Sequence, residues 1–420
     1  MDRSPALHQP IVESAAPPTA DASAPRLGTT GVVVLIAVSH GTIDAYSAFL
    51  PPLLPRIMDK LGLSIALAAT LATVLSLSTS LMQPAFGYLA DRFGRRLFLS
   101  TGPLVTGVFL SLIGVAPTFT ILLACLILGG IGSAAFHPPG AALIARASDG
   151  GGAGMRLSVF SFGGTAGFAI GPVAAVAIVA AVGLERLWIA MIPGVVLSVA
   201  LWVALGRRRG QVRAPHPPPP REVLRLLAGP LGILFGVSAV GAFVQRTFLT
   251  FMPIIADRAG VSEAAGAAIL SAYLGAQAFG TLAGGFLTDR VNRQRMMMAV
   301  SLAAVPVHLA AVVLPPASTN GIAAAIAAGF LNMALLPPVV VMAQEMVPRG
   351  AAASSGIVMG LAWAAGALLI PATGALGDVF GPVAAAAWSM PLLFVIAVLA
   401  AHPSLRPYGH APLARDATGP

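Results

Sequence analysis

The chain reads as an all-α polytopic membrane protein, with twelve transmembrane helices in two six-helix pseudo-repeats. Three observations predict this. Its 420 residues are 57% hydrophobic and only 9% charged, with a mean hydropathy of +0.88, whereas a soluble domain carries roughly 25% Asp, Glu, Lys and Arg. So few charges cannot cover a water-facing surface, which excludes soluble enzymes, nucleic-acid binders and disordered scaffolds. The uncharged runs are long enough and numerous enough to cross a bilayer twelve times, and the second half of the chain repeats motifs of the first.

Residues 1–26 are rich in Pro, Ala and Ser, contain three acids and lack an apolar run. They read as a disordered cytoplasmic tail and not as a cleaved signal peptide. A spanning helix needs about 20 mostly apolar residues. Uncharged stretches supply them at 27–43 (continuing past Asp44 to Pro55), 61–90, 97–145, 157–184, 187–206, 226–245 (continuing past Arg246 to Ala256), 264–288, 296–344, 350–377 and 379–405. Two of these hold 49 residues, and each breaks once, near Ala116-Pro117-Thr118 and at 315–320. Twelve spans result, grouped as an N-terminal bundle over 27–206 and a C-terminal bundle over 226–405. Between them, 207–225 carries six arginines and Pro217 to Pro220 in a row, a stiff polar linker. Residues 406–420 read as a second cytoplasmic tail.

Arginine placement sets the predicted orientation. With both termini cytoplasmic, the cytoplasmic loops hold fifteen arginines, and the other side holds only Arg56, Lys60, Arg186 and Arg258. The positive-inside rule therefore predicts a multi-pass protein of a bacterial inner membrane with both ends inside. The same bias explains a net charge of +9 without any nucleic-acid partner. The single cysteine, Cys125, rules out an intramolecular disulfide or a cysteine metal cluster.

The halves repeat. Gly87-Tyr88-Leu89-Ala90-Asp91-Arg92 recurs as Gly285-Phe286-Leu287-Thr288-Asp289-Arg290, offset by 198. At an offset of 199, Pro138-Pro139 matches Pro337-Pro338, Gly167 matches Gly366 and Pro172 matches Pro371. A parallel duplication places the substrate path at the interface of the halves.

The loop between the second and third spans contains Gly87, Asp91, Arg92, Gly94, Arg95 and Arg96. Gly87 permits close helix packing and Gly94 a tight turn. Asp91 sits at a helix C-terminus, where the dipole disfavours an anion, so it wants an arginine or another helix's N-terminus. A pair that forms and breaks suits a gate. On these residues the chain resembles the major facilitator superfamily, whose signature in this loop it reproduces in full. The resemblance implies that Asp91 and Arg92 latch a cytoplasmic gate, with Asp289 and Arg290 as a second copy. Gly163, Gly167, Gly171 and Pro172 in the fifth span give small residues every fourth position, which suits close helix packing. They also resemble the glycine motif of drug–proton antiporters.

A narrower resemblance rests on His40-Gly41-Thr42-Ile43-Asp44, Ser80-Leu81-Met82-Gln83-Pro84, Ala135-Phe136-His137-Pro138, and Ala343-Gln344-Glu345 with Pro348. Together these resemble the fosmidomycin-resistance group of efflux transporters over most of 35–400. The resemblance implies export of a small molecule, drug or metabolite, by proton antiport with alternating access. The rival expectations are a proton-coupled uptake symporter for an organic anion or sugar, and a transporter-like sensor or lipid-handling protein.

A carboxylate near mid-helix costs about 2.5–3.5 kcal/mol on insertion scales, so Asp44 points to function. His40 lies one turn away on the same face, and a His–Asp pair lining a wet cavity can take up and release a proton. His137 precedes Pro138 but has Leu336 as its counterpart in the second half, so it is not part of the repeat's packing. His40, Asp44 and His137 are the proton-coupling candidates. Arg246 is the one base within a span, expected to bind an anionic substrate group or to pair reversibly with Asp44. Gln83, Gln245 and Gln277 are further cavity candidates, and Gln344 with Glu345 marks the end of the tenth span, one turn from Arg349. No Walker loop, metal-ligand spacing or nucleophile elbow occurs. The expected energy source is the proton gradient with no bound cofactor or metal, the partners are a small-molecule substrate and the lipid bilayer, and the working unit is a monomer.

Overall fold

The computed structural model describes residues 27–146, 153–205 and 220–410. It contains twelve helices long and apolar enough to cross a membrane. They are α1 (Thr29–Leu61), α2 (Ile65–Phe93), α3 (Arg95–Gly114), α4 (Phe119–Ile144), α5 (Met155–Val182), α6 (Leu184–Ala204), α7 (Pro230–Arg258), α8 (Glu263–Thr288), α9 (Arg293–Val313), α10 (Thr319–Met346), α11 (Ala353–Phe380) and α12 (Pro382–Ala400). The tail expected over 1–26 and residues 207–219 of the linker lie outside the described residues. Residues 220–225 of that linker are helical, continuing to Leu227.

Local chemistry sets the helix boundaries. Ser64, Ser262, Asn292 and Ser318 each accept a backbone N–H of the first turn of α2, α8, α9 and α10, satisfying donors that a helix start leaves free. Gly62 ends α1 in the left-handed region at φ 63°, which an L side chain would resist. Irregularities follow the prolines. α1 is interrupted at Ala48 and Phe49 ahead of Pro51-Pro52, α2 at Met82 ahead of Pro84, and α10 at Leu335 ahead of Pro337. α11 contains one π turn over Gly356–Leu361.

Within each half, glycines bring backbones into contact. A Cβ at Gly163, Gly167 or Gly171 of α5 would run into the α1 carbonyls of Ala37, Gly41 and Ala45, respectively. Gly280 and Gly284 of α8 lie equally close to the carbonyls of Phe330 and Ala334 on α10, and Gly366 of α11 to that of Ala239 on α7. Such close approach is how helices associate where lipid supplies no hydrophobic drive. The faces turned away from these seams carry exposed apolar side chains, including Val196, Val199 and Val203 of α6 and Phe394 and Val398 of α12, as a lipid-facing surface requires.

The halves meet at the end opposite the arginine-rich loops. There Arg56 of α1 forms a bidentate pair with Glu263 of α8, at 2.8 and 2.9 Å from Nε. Both carboxylate oxygens of Asp378 at the end of α11 accept the N–H groups of Ile65 and Ala66, at 2.7 and 3.1 Å. Deeper in, the Thr73 hydroxyl donates to the carbonyl of Ala367. At the arginine-rich end the 83–93 segment of α2 packs on α3 and α4 of its own half. Phe162 of α5 and Phe279, Leu282 and Phe286 of α8 are exposed.

The tail expected from residue 406 begins later. Pro403–Tyr408 is a 3-10 turn with Leu405 fully buried, and Gly409 accepts the N–H of Arg293 at 2.8 Å.

Candidate functional site

Near the middle of the first half, α1, α4 and α5 bring two histidines and a carboxylate together. His40 Nε2 lies 3.2 Å from Asp44 Oδ2, one helical turn along α1. His137 on α4 reaches the other oxygen, with Nε2 3.1 Å from Oδ1. The far nitrogen of each ring is held by the backbone. His40 Nδ1 is 2.8 Å from the carbonyl of Phe160 on α5, and His137 Nδ1 is 2.7 Å from the carbonyl of Ser133. The Phe160 ring also stacks on His40, with centroids 4.1 Å apart.

These contacts allow a proton count. A carbonyl oxygen only accepts, so Nδ1 of each ring carries a hydrogen and donates it. In a neutral ring Nε2 would then present a lone pair to a carboxylate oxygen, and two lone pairs repel. Each contact at 3.1–3.2 Å is therefore short enough to share a proton between nitrogen and oxygen. The three groups offer two such places, and a proton can come and go while the Nδ1 contacts keep the rings in place. The two Nε2 atoms and a carboxylate oxygen lie within 4.8 Å of one another, a spacing that a cation could also bridge. Spacing along the chain hides this grouping, because His137 arrives from α4.

Arg246 enters from α7 in the second half. Its Nε is buried without a hydrogen-bond partner, and among the described residues no carboxylate pairs with it. The reversible Arg246–Asp44 pair expected from sequence is thus open in this conformation. Beside it, Gln245 donates to Gln277 of α8 at 2.9 Å; both are almost completely buried, and the Gln245 Oε1 has no partner. Gln83 stays outside this group, with its amide bonded to the carbonyl of Thr79 in its own helix.

In the loop between α2 and α3, Asp91 pairs with Arg95 through Nη2 at 2.6 Å and Nε at 3.0 Å. Arg92 lies 5.6 Å from the Phe93 ring, and Arg96 donates to the Trp202 carbonyl while lying 4.0 Å over its ring. In the second copy, Asp289 caps α8, and Arg290 donates to the carbonyl of Phe286 and lies 3.6 Å over its ring.

Glu345 pairs with Arg293 at 2.9 Å; the side chain of Arg349, the partner one turn away that its position suggests, lies outside the described residues. Arg293 is 1% exposed and also donates to the carbonyls of Thr288 and Tyr408. Neighbouring Gln344 donates to Ser355, tying α10 to α11. On sequence alone Arg293 counts among the topology-setting loop arginines. A signal for it is present, since the 198-residue offset aligns it with Arg95. Phe160, Gly164, Glu263 and Asp378 carry no such signal.

Fold and site define a class: a polytopic carrier of two six-helix halves, with ionisable groups on inward faces of helices that the repeat relates. The family model of the Major Facilitator Superfamily matches residues 36–371, and the chain belongs to that superfamily. It is a secondary transporter of the membrane and not an enzyme. An uncharacterized MFS-type transporter of Bacillus subtilis (strain 168), YfnC, is 28% identical over 405 residues, covering 91% of this chain and 96% of that protein. The fosmidomycin resistance protein of Escherichia coli (strain K12) is 28% identical over 359 residues, covering 83% and 86%. Among solved structures, a bacterial homolog of the human lysosomal transporter Spinster superposes with a TM-score of 0.75 at 20% identity, covering 91% and 99%.

Proposed function

We propose that the protein exports a small molecule, a drug or metabolite of the fosmidomycin type, from a bacterial cell in exchange for protons, with both termini cytoplasmic. The observation that carries this is the cluster of His40, Asp44 and His137, with both imidazoles against one carboxylate. Under the positive-inside rule the arginine-poor end, where Arg56–Glu263 and Asp378 join the halves, faces outward, and on that orientation we read the conformation as inward-facing. Protons loaded on the cluster from outside are released to the cytoplasm here. A cargo whose polar groups hydrogen-bond to the same nitrogens and oxygens then takes the place of the protons. Exclusive occupancy of this kind is what exchange requires. The likeness to the fosmidomycin resistance protein over 83% of the chain supports export. The proton gradient supplies the energy, and a monomer contains the whole path.

The test is Asp44→Asn in inside-out vesicles with an imposed pH gradient. At wild-type expression, gradient-driven accumulation should fall at least about a hundredfold, in line with the loss of a positioned acid–base group. Full proton-dependent transport by that variant would end the proposal.

Arg246 favours a second reading, uptake of an organic anion together with protons. Among the described residues no carboxylate pairs with its guanidinium, and its Nε is buried without a hydrogen-bond partner. An anion docked there would favour protons on the nearby cluster, and such mutual favour is the signature of symport. Proton uptake by the protein on adding an anion supports symport; proton release on adding cargo supports exchange.

A further inference from the structure

We infer that Gly164 and Phe160 of α5 are positioning residues for the proton cluster, and that α5 thereby ties the state of His40 to the movement of the halves. The inference rests on the reading of His40, Asp44 and His137 as the proton site.

Gly164 differs from the other glycines of its stripe. Gly163, Gly167 and Gly171 face the backbone of α1, so their role is helix packing. A Cβ at Gly164 would instead lie 2.5 Å from His40 Nε2 and 2.7 Å from Asp44 Oδ2. The gap left by its missing side chain is the space in which His40 and Asp44 meet. One turn earlier, the Phe160 carbonyl accepts from His40 Nδ1 and the Phe160 ring lies against the imidazole. Donor direction, ring plane and room for the acceptor are all set by α5. One turn further along, Phe168 and Ala169 of the same helix pack against the core of the second half. A rocking motion that drags α5 with the second half would change the carbonyl and the gap that fix His40. Among the described residues, the other ionisable group in contact with this pair is His137 from α4.

A double-mutant cycle tests this. Gly164→Ala places its methyl against the ends of two side chains, not against backbone, so α5 should still pack on α1. Proton release and gradient-driven flux should fall about tenfold, with a thermal midpoint close to wild type. In a His40→Ala background the same substitution should add clearly less than in the wild type, because the nearer of the two groups it displaces is gone and Asp44 has room to shift. An unchanged proton-release profile for Gly164→Ala, or equal losses in both backgrounds, would overturn the inference. Should Gly164→Ala fail to assemble, Phe160→Leu decides. It keeps the carbonyl and removes the stacked ring; a shifted pH profile of flux is expected, and an unshifted one would overturn it. Asp44→Asn run in parallel separates the two failures. If it preserves coupling, the proton-site reading falls; if it abolishes coupling while Gly164→Ala behaves as wild type, only the positioning role falls.

Discussion

Asp378→Ala should release the arginine-poor end of the molecule and shift the protein toward the conformation open on that side. The Asp378 carboxylate accepts two backbone N–H groups at the first turn of α2, at 2.7 and 3.1 Å. Hydrogen bonds to a charged group contribute about 1.5–3 kcal/mol each in favourable settings, and a helix N-terminus adds about 0.3–1 kcal/mol for an anion. One of the two bonds is exposed to solvent, so screening brings the combined contribution down to about 1.5 kcal/mol. That energy corresponds to about a tenfold change in the ratio of the two conformations. The Arg56–Glu263 pair looks stronger on paper, since it is bidentate, but the arginine is half exposed. An exposed pair contributes about 0.2–1 kcal/mol, so Arg56→Gln should move the ratio only about twofold to threefold. Distances between spin labels placed on the ends of α1 and α8 would give the populations directly. If Arg56→Gln opened that end more than Asp378→Ala, or if Asp378→Ala left the distance distribution unchanged, the helix-capping argument would be wrong.

Gly167→Ala should be the most damaging single methyl in the first half, because it meets the backbone of Gly41; overpacking of about 1–3 kcal/mol is expected, read as a lower thermal midpoint in detergent. Arg293→Gln should destabilise the second half by about 2–4 kcal/mol, since it strips a partner from Glu345 and two carbonyls at once. Pairing it with Glu345→Gln should recover part of that loss in the same melting assay. Arg246→Gln should lower affinity for anionic cargo about tenfold or more while leaving neutral cargo unaffected, measured by competition in proteoliposomes; equal affinity for both would remove Arg246 from the cargo path.

Much of the fold was legible because membrane insertion imposes a simple rule, a run of about 20 apolar residues per span. The stretch beginning at 27 and broken by Asp44 becomes α1, and both 49-residue stretches divide where turn residues predicted. Spans end where small capping residues occur, as Ser262 does before α8. The site was legible in part. Asp44 stood out because a charge inside a span is costly, and His40 because four residues make one turn. His137 was marked by its asymmetry with Leu336, but its meeting with Asp44 is a tertiary fact that crosses 93 residues. Groups acting through the backbone left no trace. The Phe160 carbonyl is chemically the same as any other, and only geometry makes it the acceptor for His40. Charges near helix ends read as topology signals, which conceals Arg293 and Asp378: the rule that explains most such charges says nothing about which ones also form contacts.

The halves share a gate loop, paired prolines and glycine seams, yet their interiors have parted. The first carries histidines and an acid on α1 and α4, the second an arginine and two amides on α7 and α8. A carrier assembled from two identical chains would have to bear every such residue in both copies, because symmetry repeats each substitution. Fusion of the copies into one chain lifts that constraint. Each ancestral position can then be tuned once, so an imidazole can stand at residue 137 and a leucine at 336. On the proposed reading, exchange of the second half between relatives of this chain offers a route to new cargo that leaves His40, Asp44 and His137 untouched.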